Sequence, residues 1–272
     1  MDQHTIDTKN ADFWNELCGS GLARMLGITA INPETLRRFD EAYLAFYPYL
    51  KGYVTSQPLK NKKVLEIGLG YGTLGQLLAE QGCDYFGMDI AQGPVDMMCY
   101  RLTNLGQSSE GKVQKGSALE IQYSEASFDY VYTIGCLHHT GNLSQAVSEV
   151  YRVLVPGGKA SVMLYNRHSF RQLVQIPMER IRNLFVSGDR SFAERVRALY
   201  DTNVQGDAAP HTDYVSLIEV RRLFKSFSTI KVDIQNFDTY VLFKGKVVIP
   251  REKLLNNIGR ILGLDFYITA VK

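Results

Sequence analysis

Short apolar runs separated by helical stretches occupy the middle of the chain, between residues 62 and 166. The runs are KKVLEIG, DYFGMDI, KVQKGSA, FDYVYTIG and GKASVMLYN. Runs of this kind are typical of parallel strands that are buried on both faces. The segments between them, such as TLGQLLAEQG and NLSQAVSEVYRVLVPGG, have apolar residues at helical spacing. Strand and helix in alternation predict an α/β fold with an open, doubly wound, mostly parallel sheet.

The pattern changes near residue 62 and again near residue 166, so the chain divides into parts. Apolar and aromatic residues at helical spacing precede the first change, and Pro33 is placed to start a helix after Asn32. The predicted parts are a helical N-terminal cap (1–61), a core (62–166), a helical lid insert (167–212) and a C-terminal return to the core (213–272). The last part contains two strands, STIKVDIQNF and LDFYITAVK, separated by a short insert (237–262) with a short helix in REKLLNNIGRIL.

Charge and composition limit the class of partner. The chain has 30 Lys and Arg against 28 Asp and Glu, a net charge of +2, and nucleic-acid backbones select much more basic surfaces. The four cysteines show no CxxC spacing, the N-terminus is polar, and no stretch approaches 18 apolar residues. These features predict a cytoplasmic protein with no membrane segment and no nucleic-acid partner, and they leave the oligomeric state open.

The first strand runs into a glycine-rich turn with Gly68, Gly70 and Gly72, after which a helix begins. Small residues at these places let the backbone approach a nucleotide-like ligand closely. The turn lacks the third glycine at GxGxxG spacing, and Glu66 lies two residues before its first glycine, which favours adenosylmethionine over a dinucleotide. Asp89 ends the second strand, where a carboxylate can accept the ribose hydroxyl protons in either class of site. A tight turn without a ligand and a dinucleotide site remain as alternatives at this point.

Four segments in order resemble the class I S-adenosylmethionine-dependent methyltransferases, and in particular their UbiE-like small-molecule branch. They are EIGLGYG, GMDI, GSALEIQYSEASFDYVYTIGCLHHT and VYRVLVPGGKASVMLYN. The resemblance covers about residues 62 to 166 well and the rest in outline. It implies a seven-stranded sheet whose last strand is antiparallel, and S-adenosylmethionine as the cofactor.

The resemblance also implies which residues bind that cofactor. The glycines would face its methionine part, Asp89 its ribose, and Ile90 its adenine. The full implied set is Glu66, Gly68, Leu69, Gly70, Gly72, Asp89, Ile90, Ser117, Ala118, Leu119, Ile134 and His138. Ser117 departs from the family, which commonly has an aspartate there, so a single hydroxyl hydrogen bond would replace a carboxylate contact.

Catalytic and substrate-binding candidates follow the fourth and fifth strands. Methyl transfer is an in-line displacement, so the protein aligns the nucleophile and removes its proton when it carries one. His139 is the candidate base, with His211 and Tyr165 as further candidates, and His138 is expected to contact the cofactor. Candidates for substrate contact are Phe13, Trp14 and Asn166, and no metal site is predicted.

The sequence favours an enzyme that methylates O, N, S or C of a small metabolite in a lidded pocket. The arginines of residues 167–212 outnumber the acidic residues there. Solvated helix faces account for most of these arginines, and the alternative is that a positively biased insert attracts an acceptor with a carboxylate or phosphate. The alternatives are a methyltransferase for protein or RNA, a cofactor-binding module without turnover, and a nicotinamide-dependent oxidoreductase.

Overall fold

The computed structural model describes residues 2–17, 20–183, 191–242 and 246–272. The strands in this part of the chain are β1 Lys63–Ile67, β2 Asp84–Asp89, β3 Val113–Lys115, β4 Phe128–Ile134, β5 Leu154–Tyr165, β6 Thr229–Gln235, β7 Tyr240–Leu242, β8 Val247–Ile249 and β9 Asp265–Val271. The helices are α1 Gln3–Trp14, α2 Ser20–Met25, α3 Pro33–Phe46, α4 Leu50–Val54, α5 Thr73–Ala79, α6 Gln92–Asn104, α7 Leu143–Val153, α8 Ile176–Asn183, α9 Phe192–Ala198, α10 Leu217–Leu223, α11 Arg251–Leu255 and α12 Gly259–Leu262.

Seven strands form one sheet in the order β3-β2-β1-β4-β5-β9-β6. The first five pair in parallel, whereas β9 is antiparallel to both β5 and β6. The α/β fold predicted from the sequence, with seven strands of which the last is antiparallel, is therefore confirmed. The order reverses between β1 and β4, and ligands of open α/β sheets bind at the strand ends beside such a reversal.

Alternating side chains of β1 supply two separate cores, one on each face of the sheet. Leu65 and Ile67 join the core beneath α7 and α10, whereas Val64 joins the core beneath α4, α5 and α6. A strand covered on both faces must be apolar at almost every position, which explains the continuous runs in the sequence. Glu66 is the buried polar exception in β1, being 2% exposed on the same face as Val64.

The N-terminal segment is helical and packs against the core through its third helix. Helix α3 begins at Pro33, as predicted, because Asn32 caps it by accepting a hydrogen bond from the backbone N–H of Thr35 at 3.0 Å. Phe39 on this helix is fully buried and stacks on Tyr71, with 4.1 Å between ring centroids. The helix thereby lies directly against the glycine-rich turn.

The two inserts differ in how well the sequence predicted them. Residues 167–212 contain a π-helical turn at Arg171–Gln175 followed by α8 and α9, and residues 199–212 form a loop rather than a helix. Residues 237–262 hold two short helices, α11 and α12, in place of the single predicted helix. They also hold a β7–β8 hairpin that was not predicted. Its strands pair over only three residues each, too few for a clear period-two pattern.

None of the described helices is both long and apolar enough to cross a bilayer. Cys83 is buried, and Cys99 and Cys136 are half-buried, all three as free thiols; Cys18 lies outside the described residues.

Candidate active site

A cleft of about 980 Å³, including its mouth, opens at the carboxyl ends of β1, β2 and β4. Its floor is the glycine-rich turn together with residues 89–90, 116–118 and 134–136. Its outer wall is formed by side chains of α1 and α3 and by residues 139–140. We call this space the cleft.

The glycine-rich turn needs its glycines for two reasons. Gly68, Gly70 and Gly72 all have positive φ angles, of 84°, 51° and 76°, which side chains rarely tolerate. A Cβ on Gly68 would also lie 2.5 Å from the Cβ of Cys136, and one on Gly72 would lie 2.7 Å from the Cδ of Arg101. The turn is therefore packed closely against Cys136 and Arg101, and glycine is required at both places.

Asp89 lies at the floor of the cleft and is tied to the turn. Its Oδ2 accepts the backbone N–H of Leu69 at 2.8 Å, and its Oδ1 accepts that of Ala91 at 2.9 Å. Burial raises the pKa of this carboxyl, and the backbone N–H groups act against that rise. A carboxylate has about four lone-pair sites, so two amides leave capacity for further donors such as ribose hydroxyls.

Glu66 lies under the turn and faces Tyr85, whose hydroxyl donates to Oε2 at 2.5 Å. Burial raises the pKa of Glu66 to about 8, against the lowering effect of the Tyr85 hydrogen bond. The nearby α5 residue Gly75 is constrained by this pair, since a Cβ there would lie 2.6 Å from Oε2. The buried glutamate is hydrogen-bonded, as the sequence argument required.

Most of the predicted cofactor residues lie around the cleft. The lining includes Glu66, Gly68, Leu69, Gly70, Gly72, Asp89, Ile90, Ser117, Ala118 and Ile134. Leu119 and His138 lie outside it. Leu119 packs against the core because the chain turns between Ser117 and Glu120. His138 is fully buried beneath the cleft with its ring 4.1 Å from that of Tyr165, and burial holds its pKa well below the ordinary value.

His139 borders the cleft and has its ring held on three sides. Its Nδ1 lies 2.7 Å from the carbonyl oxygen of His211, so Nδ1 carries a proton and the neutral ring has its lone pair on Nε2. Nε2 is buried and lies 3.6 Å from Oδ2 of Asp201. The Trp14 ring packs on the imidazole at 4.8 Å between centroids. Burial lowers the pKa of His139, and the charge of Asp201 opposes this shift.

Tyr165 and His211 stand behind His139 and do not line the cleft. The Tyr165 hydroxyl donates to Oδ2 of Asp201 at 2.9 Å, so one carboxylate oxygen faces both the tyrosine and the histidine. His211 contributes its carbonyl to His139, while its own Nε2 lies 3.1 Å from Oδ1 of Asp213. Asp201 follows α9, so the lid insert supplies a carboxylate to this cluster.

The three predicted substrate residues are placed differently from one another. Trp14 lines the cleft. Phe13 packs edge-on against Trp14 but lines a separate surface groove beside residues 203–210. Asn166 is 1% exposed, and its side chain bridges the Gly263 carbonyl and the His168 N–H, which is a structural arrangement away from the cleft.

A buried ion pair that the sequence analysis did not identify supports the glycine-rich turn. Arg101 on α6 is paired with both carboxylate oxygens of Asp40 on α3, at 2.8 and 2.9 Å. Its Nε donates to the carbonyl of Tyr71, inside the turn, at 2.6 Å. An arginine within the apolar stretch PVDMMCYRL was the only signal in the sequence, and it did not indicate a partner 61 residues away.

Comparison with known proteins identifies the core. Residues 65–162 match a family described as a methyltransferase domain. This part of the chain carries a methyltransferase domain. The glycine-rich turn, Asp89 and the β4 end all fall within the matched residues, so the family predicted from the four sequence segments is confirmed.

Two curated relatives align with the domain. The ubiquinone biosynthesis O-methyltransferase of Pseudomonas fluorescens is 29% identical over 140 residues, 51% of this chain and 60% of that protein. Phosphoethanolamine N-methyltransferase 2 of Caenorhabditis elegans is 29% identical over 107 residues, 38% of this chain and 24% of that protein. The alignments thus span less than two thirds of each of these relatives.

A solved structure shares the fold. Phosphoethanolamine N-methyltransferase 2 of Haemonchus contortus, in complex with phosphomonomethylethanolamine and S-adenosylhomocysteine, superimposes with a TM-score of 0.52 at 18% identity, over 84% of this chain and 52% of that one. S-adenosylmethionine, the cofactor predicted from the sequence, is the cofactor of this family, so the prediction is confirmed for the family.

The residues present in the methyltransferase domain fit S-adenosylmethionine. The turn forms a cradle in which added Cβ atoms would collide with the protein beneath it. Asp89 retains acceptor capacity at the floor, and Ile90 and Ala118 supply apolar surface on the same floor. Residues 68–72 would hold the methionine part, Asp89 the ribose and Ile90 with Ala118 the adenine.

Proposed function

We propose that this protein is an S-adenosylmethionine-dependent methyltransferase that methylates a small molecule within the cleft. The observation that carries the proposal is that one cleft joins the glycine-rich turn and Asp89 to His139. When bound, S-adenosylmethionine supplies an electrophilic methyl group. Because the turn, the carboxylate and the imidazole border the same space, an acceptor held there lies next to both the cofactor and a candidate base.

The cover over the cleft supports a small acceptor over a protein or RNA. Helix α1 crosses the mouth, where Asn10 donates to the carbonyl of His139 at 2.7 Å and Trp14 packs on the His139 ring. The end of this segment contacts the lid insert, because Glu16 accepts the backbone N–H of Val204 at 3.0 Å. The cap and the lid insert therefore act as one cover, and a bulky acceptor would have to displace it.

We propose His139 as the group that takes a proton from the acceptor. Its lowered pKa keeps the ring neutral near neutral pH, and the proton on Nδ1 is fixed by the His211 carbonyl. A proton gained on Nε2 would be stabilised by Asp201, whose Oδ2 lies 3.6 Å away. Tyr165 holds that carboxylate in place. Nε2 is buried behind the cleft surface, so this role requires Asp201 or the lid insert to shift when the acceptor enters.

The charge of the cleft bears on the predicted anionic acceptor. No lysine or arginine occurs among the described residues that line it, whereas the carboxylates Asp7 and Asp89 do. Two arginines of the lid insert are engaged elsewhere: Arg171 is paired with Asp238, and Arg167 lies 3.2 Å from Glu219. The cleft walls therefore give a carboxylate or phosphate no cationic partner, and we propose an acceptor that is not anionic.

Transfer of label from S-adenosylmethionine tests the proposal. The protein is incubated with methyl-labelled cofactor and a metabolite extract, and the products are separated into small-molecule, protein and RNA fractions. We expect label in the small-molecule fraction, and Gly70→Leu should abolish it because the substitution blocks the turn. Label confined to protein or RNA would support the macromolecular alternative, and no transfer despite cofactor binding would indicate a module without turnover.

A further inference from the structure

One face of α1 lines the cleft with three side chains. Asp7, Asn10 and Trp14 lie at positions i, i+3 and i+7 of the helix, so they project in the same direction. In the sequence, all three residues are more than 50 positions before the glycine-rich turn. The resemblance to known methyltransferases gave Asp7 and Asn10 no role. We call these three side chains the α1 face.

Asn10 presents an unpaired oxygen on this face. The side chain is 3% exposed, and its amide orientation is fixed because Nδ2 donates to the carbonyl of His139. The remaining amide atom is therefore the oxygen Oδ1, and no described residue donates a hydrogen bond to it. A buried oxygen without a donor costs about 1–3 kcal/mol, which a ligand with an N–H group would recover.

Asp7 adds a carboxylate one turn away. Its Oδ1 accepts Nε2 of Gln3 at 2.8 Å, and the same Gln3 nitrogen donates to the Thr140 carbonyl at 2.7 Å. These contacts fix the carboxylate at the rim of the cleft, while no described residue donates to Oδ2. The polar atoms that Asp7 and Asn10 leave open are thus acceptors.

Trp14 completes the face with a flat apolar surface, and Phe39 and Tyr43 of α3 line the cleft as well. Aromatic rings attract cations as well as apolar groups. Together with the lack of lysine and arginine among the described lining residues, these side chains define a site for a ligand with N–H donors and a positive charge.

We propose that the α1 face binds the amino group of the acceptor, which is a protonated amine on an apolar or aromatic body. This inference rests on the proposed function and specifies its substrate class. The ammonium group lies against Asp7 and Oδ1 of Asn10, and the apolar body packs on Trp14. The hydrogen bond from the Asn10 side chain to the backbone carbonyl of His139 places this subsite next to the candidate base.

Calorimetry on protein loaded with S-adenosylhomocysteine tests the inference without turnover. The ligands are tryptamine, phenethylamine and hexylamine, each compared with the carboxylate of matched skeleton, indolepropionate, phenylpropionate and heptanoate. We expect at least one amine to bind at least tenfold more tightly than its carboxylate. Asp7→Asn should weaken that amine by about 10- to 100-fold, the loss of a charge-assisted hydrogen bond, while keeping the Gln3 contact.

Asp12→Asn is the matched control, because Asp12 is an exposed aspartate of the same helix that does not line the cleft. It should leave amine affinity within about twofold, and both variants should bind S-adenosylhomocysteine like the parent. The inference is overturned if no amine binds, if carboxylates bind equally well, or if the two variants act alike. It is also overturned if Asp7→Asn weakens S-adenosylhomocysteine itself. Failure of the parent protein to bind S-adenosylhomocysteine would instead overturn the proposed function.

Discussion

Removing Asp40 should destabilise the protein strongly although the residue lies outside the cleft floor. Its carboxylate neutralises Arg101, whose side chain is completely buried and which also donates to the Tyr71 carbonyl and to Oε1 of Gln76 at 2.6 Å each. Thr73 donates to the same carboxylate at 2.6 Å. Asp40→Ala therefore leaves a buried guanidinium with two neutral acceptors and no counter-charge.

The size of the effect follows from burial. Breaking a fully buried ion pair costs about 3–5 kcal/mol, and because the Asp40 side chain is 17% exposed we expect the lower end, about 3 kcal/mol in the free energy of unfolding. The double variant Asp40→Leu with Arg101→Met carries no unpaired charge, so it should lie within about 1 kcal/mol of the parent. The cofactor should bind more weakly to Asp40→Ala, since the turn loses its support at Tyr71.

Urea unfolding followed by circular dichroism measures the free energy of unfolding of both variants. Titration with S-adenosylhomocysteine measures whether the altered turn binds the cofactor more weakly. The reasoning is refuted if Asp40→Ala loses less than about 1 kcal/mol. It is equally refuted if the double variant is as unstable as the sum of the two single variants, because the charges would then be independent.

Three further predictions follow from the site. His139→Ala should lower kcat by about 10²- to 10⁴-fold with cofactor affinity nearly unchanged. In the parent protein, the acid limb of the kcat/KM profile should lie below pH 6.5, because burial lowers the His139 pKa. An unaltered kcat in the variant, or an acid limb above pH 6.5 in the parent, would contradict this role. Burial raises the Glu66 pKa from 4.5 to about 8. The parent should therefore lose stability relative to Glu66→Gln as the pH rises through this range, by at most about 1.4 kcal/mol per pH unit in urea unfolding. A pH-independent difference between the two proteins would refute the buried protonated carboxyl. Limited proteolysis should cut near Gly206, or near Gly188, which lies outside the described residues, and cofactor with acceptor should slow it; equal cleavage with and without ligands would count against a mobile cover.

The sequence predicted the core well because its signals are local. Strands such as β1 and β4 are buried on both faces by neighbouring helices, so each is a mostly apolar run that is followed by a glycine. The glycine-rich turn was readable for the same reason, since three positive φ angles within five residues admit few other residue types.

Features that depend on residues far away in the chain could not be predicted from the sequence. Nothing in the local sequence of Asp201 distinguishes it from a solvated residue after a helix, and its role appears only when the lid insert places it beside His139. Asn166 and Leu119 were expected at the cleft because they follow strands, but the chain turns each side chain into the protein instead. Strand ends therefore predict the edge of the sheet at which a residue lies, and tertiary packing decides which way it points.

Binding of S-adenosylhomocysteine and NAD by calorimetry tests the central claim most directly. We predict a dissociation constant in the micromolar range for S-adenosylhomocysteine and no heat with NAD. Asp89→Asn should weaken binding by about 1–3 kcal/mol, because it alters the carboxylate that accepts from Leu69 and Ala91 at the cleft floor. Binding of NAD, or an unchanged S-adenosylhomocysteine affinity in Asp89→Asn, would contradict the assignment of this cleft as a methyltransferase cofactor site.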